Sequence, residues 1–80
     1  MWALFARSKR PDPRALAEAA RLSIGAEART DALARMFALF PDEPAIIVVG
    51  RDGEPIGVVT PDRLAARHSG VVADLMLAFA

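Results

Sequence analysis

Few side chains in this 80-residue sequence have the types and spacing that catalysis requires. His68 is the only histidine and cysteine is absent, so a nucleophile with a histidine base would have to come from a serine. No serine lies in a Gly-x-Ser-x-Gly turn or beside an assembled triad; the serines are Ser8, Ser23 and Ser69. We therefore predict no catalytic residue and expect that the protein is not an enzyme.

Metal and phosphate chemistry have equally little support. Structural zinc is held mainly by cysteine and histidine, and without them only carboxylates remain. The two carboxylate pairs, Glu18 with Glu27 and Asp42 with Glu43, are typical of solvated surface charge. No glycine-rich loop of the Walker or Rossmann type is present. We predict no metal site and no phosphate loop of these kinds.

Composition favours association with protein over binding to nucleic acid or a membrane. Ten basic residues balance ten acidic ones, and the arginines are interleaved with acids, which disfavours a nucleic-acid stripe. Hydrophobic residues make up 54%, above the roughly 45–50% of ordinary soluble domains. We therefore expect a homo-oligomer, most simply a dimer, or a subunit of a larger protein complex.

The N-terminal ten residues resemble neither a membrane span nor a secretory signal. No apolar run reaches the ~18 residues of a membrane span, and the charges follow the apolar residues, the reverse of a signal peptide. We expect a cytoplasmic protein with a tail over residues 1–12. The aromatic cluster of this tail, which is Trp2, Leu4 and Phe5, is expected to dock on the domain, on a partner protein or weakly on a membrane surface.

The rest, residues 13–80, is predicted to be a single domain with its core over 22–67. Asp12 and Pro13 are a helix-start signal, and an alanine-rich helix with Leu16 on its apolar face is expected to follow. A short strand is expected at residues 22–24. Thr30 is predicted to cap a second helix, whose stripe of Leu33, Met36, Phe37 and Phe40 is typical of a core-facing helix.

A β-hairpin over residues 45–60 is the central prediction. The run Ala-Ile-Ile-Val-Val is apolar at every position, as in a strand buried on both faces. Asp52-Gly53 supplies the positive φ of a tight turn. Pro55 belongs at a strand start, and Gly57 inside the second strand indicates a bulge or a close backbone approach. Thr60 then caps a third helix that Gly70 ends.

The C-terminal residues 71–80 are mostly apolar. They fit a last helix with Val72, Leu75, Met76 and Phe79 on one face, or a strand that adds to a partner chain. We expect the helix. Either structure must be covered, because an exposed apolar tail promotes aggregation.

The order strand, helix, strand, tight turn, strand, helix over residues 22–67 resembles a CBS motif, the regulatory repeat named after cystathionine β-synthase. Val48-Val49 followed by Asp52-Gly53 resembles the central strand and turn of the family. Gly57-Val58-Val59-Thr60 is similar to its Gly-hydrophobic-x-Thr signature. The preceding helix takes the place of the alanine- and leucine-rich helix of the family. The resemblance implies an α+β (α/β) fold with a CBS-like β-α-β-β-α unit, flanked by a short N-terminal helix and an apolar C-terminal helix. It also implies half of a Bateman module, in which two such motifs pack together.

In that family the cleft between paired motifs often holds an adenosine nucleotide such as AMP, ATP or S-adenosylmethionine. The resemblance places the corresponding ligand residues at Ile24, Ile47, Gly57, Val58, Thr60, Asp62 and Arg63. The chain departs from the family where an Asp or Asn usually meets the ribose, because Arg63 stands there and Asp62 comes one residue early.

Two functional hypotheses follow. The first is a non-catalytic regulatory or assembly module without a cofactor, which forms a homodimer or docks on a larger partner. Its expected interface residues are Trp2, Leu4, Phe5, Phe37, Leu75, Met76 and Phe79. The alternative is a sensor whose dimer cleft binds an adenine nucleotide.

Overall fold

A computed structural model of the chain describes residues 12–66 and 70–79. Residues 1–11 of the predicted tail, with its aromatic cluster, and His68 lie outside the described residues. Three α-helices are present in the described part: α1 (Pro13–Ala19), α2 (Thr30–Leu39) and α3 (Pro61–Ala66). Four strands accompany them: β1 (Ser23–Gly25), β2 (Ile46–Val49), β3 (Pro55–Val59) and β4 (Leu77–Ala78). The α+β class and the β-α-β-β-α order are as predicted.

The four strands form one mixed sheet in the order β1-β2-β3-β4. β1 and β2 are parallel, and α2 is the connection between them, whereas β2, β3 and β4 are antiparallel neighbours. Parallel neighbours need such a crossover, and antiparallel ones need only a tight turn. The sheet therefore combines one β-α-β unit with one hairpin.

The predicted hairpin turn is present. Gly53 has a φ of 81°, and its N–H donates to the Gly50 carbonyl. The Gly50 N–H in turn donates to the Glu54 carbonyl at 2.9 Å. The register then shifts, because Val48 pairs with Gly57 while Val49 pairs with Pro55. The irregularity expected near Gly57 is therefore found, as an extra residue on β3.

One face of the sheet packs on α2 and the C-terminal segment and forms the core. Side chains from β1, β2, β3, α2 and the C-terminal segment meet there; the buried members are Ile24, Leu33, Phe37, Ile46, Val48, Val59, Val72 and Leu75. Leu33 on α2 is fully buried, whereas Leu39 at the end of the same helix is 73% exposed. The predicted stripe on α2 is confirmed at Leu33 and Phe37, but Phe40 is 48% exposed.

Helix boundaries differ from the prediction at two places. α1 ends at Ala19, followed by Ala20 in extended conformation, so residues 20–22 extend toward β1. Arg29 is the residue before α2, and Thr30 is its first helical residue. The Thr30 N–H donates to the Gly70 carbonyl at 3.1 Å. Gly70, which precedes the C-terminal segment, therefore accepts a hydrogen bond at the N-terminus of this helix, which no local signal indicated.

The predicted C-terminal helix is wrong. A short 3₁₀ helix covers Val72–Asp74, and Leu77–Ala78 is a strand that pairs antiparallel with β3 of the same chain. The Val72 N–H donates to the Ala28 carbonyl at 2.8 Å and the Ala73 N–H to the Ala26 carbonyl at 3.0 Å. These long-range hydrogen bonds replace those that a helix would make, and they hold Val72 and Leu75 in the core.

Candidate docking surface

The sheet has a second face, opposite the core, which we call the outer face. Its central row is set by the strand register, which places Ile47 of β2 beside Ser23, Val58 of β3 beside Ile47, and Leu77 of β4 beside Val58. Ile46 and Val48, which alternate with Ile47, belong to the core. Because successive side chains of a strand point to opposite faces, Ile47 and Val49 belong to the outer face. An apolar row therefore lies on the side away from α2.

Helix α1 packs on the β3 side of the outer face, and a cavity separates it from Ile47 of β2. α1 packs against β3, and Val58 is fully buried although it is not part of the core cluster. Ile47 and Val49, one strand further, are only half-buried. A helix of seven residues is about 10 Å long and cannot cover all four strands. The β1–β2 side of the outer face is therefore open.

A first cavity, which we call the helix cavity, lies between α1 and the sheet. It has a volume of about 410 Å³. Phe79 lies under the Arg14 guanidinium, whose Cζ is 5.1 Å from the ring centroid, and the Phe79 N–H donates to the Ile56 carbonyl at 3.1 Å. The lining residues are Arg14, Ala17, Glu18, Ile47, Pro55 and Phe79.

A second cavity, which we call the strand-end cavity, lies where β1 and β2 end. It has a volume of about 400 Å³ and is lined by Gly25, Ala26, Glu27, Val49, Gly50, Arg51 and Ile56. Arg51 Nε donates to Glu27 Oε2 at 3.0 Å at its rim, with both side chains largely exposed. Its walls are mainly apolar, so it favours an apolar occupant with polar groups at its edge.

The residues that the resemblance assigned to a ligand are not brought into one cavity by this single chain. Ile24, Gly57, Val58 and Thr60 are buried, Ile47 lines the helix cavity, and Asp62 and Arg63 are exposed on α3. Ile24 and Val58 even lie on opposite faces of the sheet, since only Ile24 belongs to the core cluster. A ligand that contacts the whole set would need further structure around it.

Arg63 has a structural partner. Its Nε donates to the Leu75 carbonyl at 3.0 Å, which joins α3 to the segment before β4. The chain thus uses this side chain to hold its own C-terminal segment, at the position where the family usually carries an Asp or Asn. Thr60 is 7% exposed, and its carbonyl accepts the N–H of Arg63 and of Leu64 in the first turn of α3.

The residues predicted for an interface divide into three groups. Trp2, Leu4 and Phe5 lie outside the described residues. Phe37 and Leu75 are 9% and 3% exposed within the core of the chain itself, so little of their surface is free for a partner. Met76 and Phe79 are half-buried, and Phe79 lines the helix cavity.

Sequence reasoning did not single out the strand-end cavity. A signal was present, because Gly25 and Gly50 each follow an apolar residue at the end of a strand that the sequence indicated. Parallel strands end at the same edge of a sheet, so the two small residues lie together there. Arg14 of the helix cavity was also missed, because its ring partner lies 65 residues away in sequence.

Comparisons with known proteins bear on the fold. No protein-family model matches the chain, and no curated protein matches it. Among solved structures, an uncharacterized conserved protein from Pyrococcus horikoshii has a similar fold, with a TM-score of 0.61 and 19% sequence identity. The match covers 71% of this chain and 48% of that one. The fold is therefore shared, and this chain spans about half the length of that protein.

Two further features concern the described residues alone. No helix among them is long and apolar enough to cross a lipid bilayer. The same residues contain no group of three or more His, Cys, Asp or Glu side chains placed to hold a metal ion. The cytoplasmic location stays a prediction.

Proposed function

We propose that this chain is a non-catalytic association module, similar to a single CBS motif, that pairs with a second copy through the open β1–β2 side of its outer face. The observation that carries the proposal is the half-buried pair Ile47 and Val49 on that side, next to the apolar strand-end cavity. Burial of such apolar surface drives protein association at roughly 25 cal/mol per Å² before the costs of association.

The geometry of the open side fits a sheet-to-sheet contact. β1 is an edge strand whose outer positions are Ser23 and Gly25, which are small, so a facing sheet can approach closely. Sheets pack face to face about 10 Å apart with interdigitating side chains. Ile47 and Val49 supply those side chains, and the strand-end cavity beside Val49 can accept those of the facing copy.

The length of the structural neighbour supports the same arrangement. This chain matches 48% of it, so that protein carries about as much chain again beside the shared fold. In the proposed module, a second copy of this chain takes the corresponding place. Docking of the same face on a larger partner protein is the other form of this function.

Light scattering after size-exclusion chromatography tests the pairing. We expect the wild-type chain at tens of micromolar to have twice its mass of 8.6 kDa. Val49→Glu places a charge on the open side and should give the single mass, with an unchanged far-UV circular dichroism spectrum.

The control is Leu39→Glu, which makes the same change at an exposed apolar residue on α2, away from the sheet. This variant should keep the doubled mass. A folded wild-type monomer at 100 µM would overturn the pairing with a second copy. A monomeric Leu39→Glu variant with a dimeric Val49→Glu variant would move the interface to α2.

The adenine-nucleotide alternative rests on the resemblance and needs its own test. Thermal melts with AMP, ADP, ATP and S-adenosylmethionine at 1 mM detect binding, because a ligand at 100 times its dissociation constant stabilises the folded state by ~2.7 kcal/mol. Such a gain raises Tm by several degrees in a domain of this size. An increase in Tm that Thr60→Val abolishes would establish the sensor hypothesis. If none of the four ligands changes Tm, that hypothesis is excluded.

A further inference from the structure

We infer that the helix cavity is the binding site of the chain's own N-terminal aromatic cluster, Trp2, Leu4 and Phe5. The cavity and the segment are adjacent along the chain. The segment of residues 1–11 ends next to Asp12, and Arg14, which lines the cavity, is two residues further on. Residues 12–66 and 70–79 need not rearrange to bind the cluster, because the apolar walls of the cavity are already in place.

The cluster can reach the cavity. An extended chain covers about 3.3–3.6 Å per residue, so the six residues between Phe5 and Asp12 can bridge roughly 20 Å. The cavity is lined by Arg14, Ala17 and Glu18, which lie on one face of α1 within a helix about 10 Å long. The segment must fold back along α1 to enter the cavity. The distance that it can span exceeds the length of this helix.

The cavity suits an aromatic side chain. Ile47, Pro55 and Phe79 give it apolar walls, and its volume of about 410 Å³ is within the usual range for ligand sites. Aromatic side chains bury roughly 150–250 Å² each and prefer edge-to-face or offset contacts with another ring. Phe79 provides such a ring, and the Arg14 guanidinium lies over one of its faces.

Charge also favours this occupant. Residues 1–11 carry Arg7, Lys9 and Arg10 and no acidic residue, so residues 12–80 are left with seven basic against ten acidic side chains. Glu18 at the cavity and Asp12 beside it are exposed. Residues 12–80 have a net negative charge, so the cationic segment gains long-range attraction to them, which salt screens. At the cavity itself, Arg14 offsets part of this negative charge.

A tethered segment outcompetes free ligands of the same kind. A short flexible linker gives an effective concentration in the millimolar range, well above the micromolar concentration of a second copy in solution. Binding within one chain is therefore favoured over exchange of the segment between chains. The two proposals share Ile47, which lines the helix cavity and belongs to the proposed pairing surface, whereas Val49 lines the strand-end cavity.

Trp2 is the only tryptophan, so its fluorescence reports on the cluster alone. In the wild-type chain we expect emission blue-shifted from that of N-acetyltryptophanamide and slower quenching by acrylamide. Ala17→Arg fills the cavity and places a positive charge against the cationic segment. The emission wavelength and the acrylamide quenching rate of Trp2 should then approach those of N-acetyltryptophanamide. Ala19→Arg makes the same substitution at an exposed residue of α1 that does not line the cavity, and it should behave as wild type.

Glu18→Lys is a second variant, which reverses one charge of the cavity lining and leaves the apolar walls Ile47, Pro55 and Phe79 unchanged. Trp2 emission should move partly to the red, and raised salt should have the same effect on the wild type. Free-tryptophan emission in the wild type, or an unchanged Ala17→Arg variant that is folded by circular dichroism, would overturn the inference.

Dilution separates the two proposals. A blue-shifted Trp2 that persists on dilution into the monomer range supports binding within one chain, even where light scattering contradicts the pairing. A red shift that follows dissociation would instead place the cluster on a second copy and overturn binding within the chain.

Discussion

A Cβ atom on Gly57 would lie 2.6 Å from the carbonyl oxygen of Leu77 and 2.9 Å from Cγ and Sδ of Met76. Strand β4 therefore lies against β3 at a distance that only glycine permits at this position. The same residue pairs with Val48 on its other side. The C-terminal segment, the hairpin and the core thus meet at a residue without a side chain.

Gly57→Ala should therefore destabilise the fold by about 1–3 kcal/mol, as overpacking does elsewhere. The Leu77 carbonyl is backbone and cannot move without breaking the pairing of β4. Urea denaturation followed by circular dichroism measures the change. Gly25→Ala is the matched control, because a Cβ atom there has no neighbour within 4 Å. An equal loss in both variants would contradict the role of β4.

Substitution of Gly53 is expected to destabilise the fold for a different reason. A Cβ atom there meets nothing within 4 Å, but its φ is 81°, a region that costs other L-residues about 1–2 kcal/mol. Gly53→Ala should lose about that amount in urea denaturation. Gly53→Asn should lose less, because asparagine adopts positive φ more readily. Equal losses for both substitutions would show that the turn has changed its geometry.

The hairpin could be predicted because its signals are local. The β-branched run that forms β2 and the Asp52-Gly53 turn specify two strands and their connection within fifteen residues of chain. The apolar spacing of Leu33 and Phe37 likewise predicted the face of α2 that packs on the core. Each of these features depends on residues that are neighbours in sequence.

The C-terminal segment could not be predicted in the same way. Val72, Leu75, Met76 and Phe79 have helical spacing, which favoured a helix. The hydrogen-bond partners that decide the outcome are Ala28 and Ala26, more than 40 residues earlier, and no local pattern shows them. The cavities escaped prediction for the same reason, since the strand-end cavity takes its walls from three separate segments and the helix cavity from four.

Leu33 is expected to be the most costly truncation on α2. It is fully buried in the core, and Leu→Ala at such positions costs about 2–5 kcal/mol through lost burial and the cavity that remains. A chain of this size has little stability to spare, so Leu33→Ala should be largely unfolded at 37 °C. Leu39→Ala on the same helix removes an exposed side chain and should stay within ~0.5 kcal/mol of wild type. Differential scanning calorimetry of the pair checks the contrast, and a folded Leu33→Ala variant at 37 °C would contradict it.

Arg63 should contribute to stability through its hydrogen bond to the Leu75 carbonyl. Arg63→Met keeps a long apolar stem and a good helix former while removing the donor, so the loss should be about 0.5–1.5 kcal/mol. Arg35→Met makes the same change at an exposed position on α2 and should be nearly neutral. Hydrogen exchange gives a sharper signature, because the Phe79 N–H, which bonds to Ile56 beyond β4, should lose protection in Arg63→Met and keep it in Arg35→Met. Unchanged protection at Phe79 would show that β4 is held by its strand pairing alone.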